Sequence, residues 1–285
     1  MKYKGRARSS NVEDRRGKSS GKAVAGIGGG LGLVIVLLVS LLSGNPDELL
    51  DSLSSSSPPS SVPYEETEEE KELMEFVSVV LADTEKVWSK IFKEHGMTYQ
   101  NPTLVVYTDS VSTACGSASS SVGPFYCPGD QKLYIDLSFY KNLRDTYHAS
   151  GDFAMAYVVA HEVGHHVQNL LGTNEEMEKF RQKLNEKEYN KYSVSIELQA
   201  DYYAGVWAKH TEEMGYLEDG DLEEALNAAS AVGDDTLQKQ ARGYAVPESF
   251  THGTSEQRKD LFYKGYEKGT LEGGNTFEVK NPKFF

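Results

Sequence analysis

Between Phe153 and His166 the chain reads FAMAYVVAHEVGHH, an apolar run that leads without a break into His161-Glu162-Val163-Gly164-His165. No other segment restricts the fold as strongly. The apolar positions ask for burial, and residues four apart on a helix are turned by only about 40°, so both imidazoles leave one face together. Buried imidazoles and a carboxylate need polar partners, so the rest of the domain must close around this helix with groups aimed at it. Two imidazoles at this spacing converge on one metal ion. Glu162, one residue after the first, reaches a water on that ion without binding it. The alternative is a helix with a solvated histidine pair. Three of the seven histidines fall within these six residues and the flanks are apolar, which favours the metal. His166 points about 100° away from His165 and reads as structural or exposed.

Two imidazoles leave an ion such as zinc short of a third protein ligand. Glu197 is the candidate, within Ser195-Ile196-Glu197-Leu198-Gln199-Ala200-Asp201. Glu197 and Asp201 are four apart and share a helix face. Glu197 would bind the ion while Asp201 accepts the spare N–H of a ligating histidine, fixing its tautomer. Otherwise both are surface acids of an acidic protein. Their neighbours Leu198, Ala200, Tyr202, Tyr203, Ala204, Val206 and Trp207 argue for burial, and buried acids need partners. A second region, Thr251-His252-Gly253-Thr254-Ser255-Glu256-Gln257-Arg258, places Ser255 to cap a helix. His252 or Arg258 there is a candidate donor to a developing oxyanion, or Arg258 pairs with a carboxylate. The plainer reading is a helix cap and a surface histidine.

Charge divides the chain. Its net charge is −14, which argues against a nucleic-acid groove as the main function. Yet residues 1–22 carry eight Lys+Arg and two acids, and everything after them is strongly acidic. The switch falls in a stretch without charge, Ala23–Pro46. Its core, Ala23–Leu42, is twenty residues and spans about 30 Å as a helix, one hydrocarbon core. The expectation is a single transmembrane helix with the basic tail 1–22 kept in the cytoplasm and the rest outside. A cleaved signal peptide is the rival, disfavoured by a long Gly-rich run with no A-x-A site after it. Gly28 and Gly32 carry a weak helix-packing spacing. Residues 43–63 hold eight Ser and four Pro and read as a tether, leaving 64–285 as the folded domain.

Within that domain, apolar periodicity predicts helices over 65–95, 151–171, 174–189, 194–210, 221–242 and 255–268, and strands over 103–107 and 132–137. Few strands, many helices and no βαβ alternation imply an α+β fold. Cys115 and Cys127 are the only cysteines. Outside the cytosol they would form a disulfide; the alternative is two buried thiols.

The strings CGSASSSVGPFYCPGDQKLYIDLSF, AYVVAHEVGHHVQNLLG, IELQADYYAGVWA and HGTSEQR, in this order, resemble the bacterial neutral zinc metallopeptidase family, membrane-anchored HExxH proteins of the gluzincin type. The resemblance spans about residues 100–270 and the anchor. It implies a mainly helical, zincin-like domain with a small sheet, zinc on His161 and His165, Glu162 as acid/base and Glu197 as third ligand. A likeness to larger metalloproteases with E-x-x-x-D and a later histidine favours His252 in transition-state stabilisation. In the family pattern, cysteines stand where this chain has Tyr202 and Gly274, which reads as a lost disulfide. The function expected is a membrane-anchored zinc endopeptidase acting on peptides or proteins, the substrate pairing with the edge of strand 132–137. The alternatives are a zinc-stabilised binding module without turnover and an amidase on cell-wall peptides.

Overall fold

The computed structural model describes residues 1–18 and 64–277. The expected helix 23–42 and tether 43–63 lie outside the described residues. Among the described residues no helix is long and apolar enough to cross a membrane.

The architecture is α+β and mainly helical, as expected. A four-stranded sheet runs in the order β1 (Val12–Asp14), β2 (Thr103–Tyr107), β6 (Lys132–Asp136), β5 (Phe125–Cys127). β1 is parallel to β2 and β2 to β6, while β5 is antiparallel to β6. The two central strands are buried almost throughout, as strands covered on both faces should be. A hairpin of β3 (Ser110–Thr113) and β4 (Gly116–Ser119) stands apart. The expectation that strand 132–137 offers a free edge is corrected here. β6 lies between β2 and β5, so its backbone groups are used on both sides. Among the described residues the edge strands are β1 and β5, the latter a three-residue strand too short to show a period-2 pattern.

Besides three short 3-10 turns, the described residues form eight α-helices: α1 (Glu68–Glu94), α2 (Ser138–Asp145), α3 (Asp152–Leu170), α4 (Thr173–Arg181), α5 (Glu186–Glu213), α6 (Asp221–Ala231), α7 (Asp234–Arg242) and α8 (Ser255–Lys268). α1 opens with a reciprocal cap between Thr67 and Glu70 and three acids in its first turn, both favourable at a helix N-terminus. Gly172, at a left-handed φ of 82°, stops α3 where the sequence predicts. The helix expected over 174–189 is broken instead. Asn185 caps a new helix with Glu188, so α5 starts eight residues before the expected Val194. The helix expected over 221–242 also divides, at Val232–Gly233, because Gly233 packs against the backbone of Ser255. At α8 the cap is Thr254, reciprocated by Gln257, not Ser255, whose hydroxyl donates to the Ser230 carbonyl at 2.6 Å.

Close backbone approach sets the centre of the fold. A Cβ on Gly164 would sit 2.8 Å from the Ala200 carbonyl, so only glycine lets α3 cross α5 this tightly. Gly205 and Gly265 do the same where α5 meets α8. Around the crossings Phe153 stacks on Trp207 at 5.5 Å and Trp88 meets Tyr203 edge-on at 5.5 Å. The Tyr202 ring lies 3.2 Å from where a Cβ of Gly274 would stand. These two positions are thus neighbours, consistent with one missing crosslink filled by an aromatic ring.

Cys115 and Cys127 are joined, with Cα atoms 5.9 Å apart. The disulfide ties the β3–β4 turn to the end of β5. Residues 1–18, read from the sequence as part of a separate basic tail, lie on the domain instead. Their charges are matched by acids such as Glu66, Glu72, Glu75 and Asp83, partners too distant in sequence for local charge counting to find.

Candidate metal centre

The α3–α5 crossing brings three donor side chains together. His161 and His165 leave one face of α3, as their spacing predicts, and Glu197 meets them from α5. His161 Nε2 lies 3.2 Å from one Glu197 oxygen and His165 Nε2 lies 3.5 Å from the other. The three ligand atoms fall within 4.8 Å of one another. Zinc–nitrogen and zinc–oxygen bonds of about 2.0–2.2 Å give a tetrahedron with edges of roughly 3.4 Å. The donor chemistry and spacing therefore fit zinc.

Both imidazoles are oriented from behind. His161 Nδ1 is 2.8 Å from Asp201, and His165 Nδ1 is 2.9 Å from the side-chain carbonyl of Gln168. With each Nδ1–H donating, each Nε2 lone pair faces the shared point. Gln168 is itself fixed, its amide donating to the Ile196 carbonyl at 2.7 Å and to Gln199 at 3.1 Å. Asp201 is fully buried and clamped. The Arg258 guanidinium holds it through Nε and Nη2 at 2.8 and 3.0 Å, and the Tyr157 hydroxyl donates to it at 2.5 Å. Of the two sequence readings of Arg258, the structure shows the carboxylate pair, and this leaves Arg258 committed away from an oxyanion.

These charges set the titration of the cluster. Without an ion, burial resists charging of His161, but Asp201 outweighs it and lifts the pKa to about 9; a bound ion would take the place of the Nε2 proton. Burial likewise opposes ionisation of Glu197, yet His165, His252 and His161 hold its carboxyl well below the usual range. Glu162 differs. Burial raises its pKa, and no donor among the described residues hydrogen-bonds its carboxylate. It faces the same cleft as His161, His165 and Glu197, as a proton acceptor beside a metal requires.

His252 also reaches this cleft. Its Nδ1 is 2.9 Å from the Thr251 hydroxyl and 3.3 Å from Asp234, which leaves Nε2 as the ring nitrogen free to meet a ligand. The loop is shaped by Asp234, whose other oxygen accepts the backbone N–H of Thr251, His252 and Gly253 at 2.7, 2.6 and 3.1 Å. His166 is structural. Fully buried and turned away from the donor cluster, it is 3.0 Å from the Tyr126 hydroxyl and 2.6 Å from the Gln100 carbonyl. Cys115 and Cys127 lie outside the cluster. Their disulfide closes the segment that contains Ser120–Pro124, a wall of the cleft.

Sequence reasoning missed Tyr157, Gln168 and Asp234. The first two carry a faint signal, one turn before His161 and three residues after His165 on the same helix. Asp234 carries none, because its partners lie seventeen to nineteen residues on.

The profile of the family described as "putative neutral zinc metallopeptidase" matches residues 1–277. The chain belongs to this family. It is 47% identical over 293 aligned positions to YpfJ of Escherichia coli K12, covering 97% of this chain and 99% of the relative. It is also 44% identical over 192 positions to Rv2575 of Mycobacterium tuberculosis H37Rv, covering 64% of each. No solved structure matches. Neither relative's name states an activity, so the chemistry rests on the site.

Proposed function

We propose that this chain is a zinc-dependent endopeptidase in which His161, His165 and Glu197 hold the ion. The observation that carries the reading is the donor spacing of 3.2 and 3.5 Å, with an uncommitted buried carboxylate, Glu162, beside it. Zinc there would supply Lewis acidity, lowering the pKa of water and polarising a carbonyl. Glu162, made more basic by burial, takes the proton of the attacking water and delivers it to the leaving amine. His252 Nε2 donates to the carbonyl oxygen as charge develops on it, and Asp234 holds the imidazole for that task. Asp201, Gln168, Arg258 and Tyr157 position the ligands. The substrate lies extended along the outer edge of β5, taking main-chain hydrogen bonds.

The walls of the cleft narrow the substrate. Val122, Pro124, Phe139, Tyr147, Val158 and Leu237 line it. Among the described lining residues the acidic and basic groups other than four tyrosines are the centre itself, Glu162, His252 and Arg258, and Arg258 is bound to Asp201. Among the described residues the cleft offers no lysine or unpaired arginine for a terminal carboxylate, and no carboxylate beyond Glu162 and Glu197 for a terminal amine. This favours internal bonds flanked by apolar or aromatic side chains over carboxylate-rich cell-wall peptides. A library of peptides with free and blocked ends tests it. Internal cleavage beside apolar residues, indifferent to blocking, is expected. Release of single terminal residues, or preference for acidic peptides, would count against the proposal.

A further inference from the structure

The contacts of residues 1–18 extend from the first residue to the last turn before Lys18. The Met1 side chain is buried in the main core. Tyr3 packs edge-on against Phe76 at 5.0 Å, and the Arg6 guanidinium lies over the Tyr216 ring and pairs with Asp83. Ser9 N–H donates to the Ser78 carbonyl at 2.9 Å. The Ser9 hydroxyl and the Asn11 amide both donate to Glu85, at 2.6 and 2.8 Å. β1 then pairs in register with β2, Val12 opposite Leu104 and Asp14 opposite Val106. Exposed ion pairs add little each. Backbone pairing, a buried apolar side chain and the buried Arg16 make this arm part of the fold.

The two ends of the undescribed segment also meet. Arg16 pairs with Glu66 at 2.6 Å and lies over the Tyr64 ring, and the backbone of Gly17 packs directly on Tyr64. The described residues on either side of 19–63 therefore stand at one place on the domain. A single crossing of a bilayer between these points would separate the partners of every contact above by about 30 Å of hydrocarbon. We infer that residues 1–18 and the domain 64–277 lie on the same side of any membrane this protein meets, with the arm as a docked strand of the domain. This departs from the topology expected from the basic flank alone, because Arg6, Arg8 and Arg16 pair with acids of the domain.

The test uses the full-length chain in bacterial cells. Single cysteines are placed at two exposed sites away from the centre, Ser10→Cys on the arm and Glu267→Cys on α8, the native pair being held in a disulfide. A membrane-impermeant maleimide should label both or neither in intact cells, and both after detergent. In a second reading, Lys4→Cys with Glu72→Cys, an exposed pair whose charged atoms are 3.2 Å apart, should be joined within one chain by a short bis-maleimide and shift in mobility. Labelling of one site without the other, or no crosslink in the folded protein, overturns the inference.

Discussion

Glu162→Gln is expected to lower kcat for peptide hydrolysis by about 10²–10⁴-fold, the usual contribution of a positioned acid/base, while zinc content and melting temperature stay near the parent's. The amide keeps the volume of the side chain. It removes only a carboxylate that no described donor binds and that burial already disfavours as an anion. Nothing in the ligand set changes, so the metal stays. Steady-state kinetics with metal analysis on the same preparation make the check. Unchanged hydrolysis would remove Glu162 from the chemistry, and with equal zinc content it would favour a binding module without turnover.

Arg258→Met should be the most damaging substitution to stability. The guanidinium and Asp201 form a bidentate pair, both side chains buried where α3, α5 and α8 meet. Removing one partner of a buried pair costs about 3–5 kcal/mol, because the other charge is left uncompensated. Burial alone would raise the Asp201 pKa, but Arg258 and His161 outweigh it and hold it at about 2. With a folded pKa below the unfolded value of about 3.9, its stabilising contribution is present above that value and fades as pH falls toward about 2. Adding Asp201→Asn to Arg258→Met should recover part of the loss by removing the orphaned charge. Asp201→Asn alone should weaken zinc binding about 10–100-fold through the His161 tether. Chemical denaturation and metal competition read the two effects separately. A full-strength Arg258→Met protein would mean that Asp201 is not held by this contact.

The local part of this site is legible in the sequence and the long-range part is not. His161, Glu162 and His165 follow from a period of 3.6 on an apolar helix, and Glu197 with Asp201 from the same arithmetic on a second one. Even Gly164 stands within the first motif, although its reason, the close crossing of Ala200, appears only in three dimensions. Strand order depends on pairing between distant segments. Lys132–Asp136 looks like any strand whether it lies at an edge or in the middle, and Phe125–Cys127 is too short to register at all. Helix breaks at Gln182–Asn185 and Val232–Gly233 turn on a reciprocal cap and a backbone contact with Ser255, neither visible to a periodicity argument. The arm is the largest surprise for the same reason. Val12–Asp14 offers three residues of strand, and Arg6, Arg8 and Arg16 each meet an acid fifty or more positions away.

The most direct test of the account is zinc stoichiometry set beside activity in the parent and Glu197→Ala. The parent should carry one zinc per chain, lose peptide hydrolysis on chelation and regain it with one equivalent of zinc. Glu197→Ala should bind zinc far more weakly under the same competition, since two histidines alone leave the ion underligated. Hydrolysis that persists in fully chelated parent protein, or zinc held as tightly by Glu197→Ala as by the parent, would contradict the centre formed by His161, His165 and Glu197.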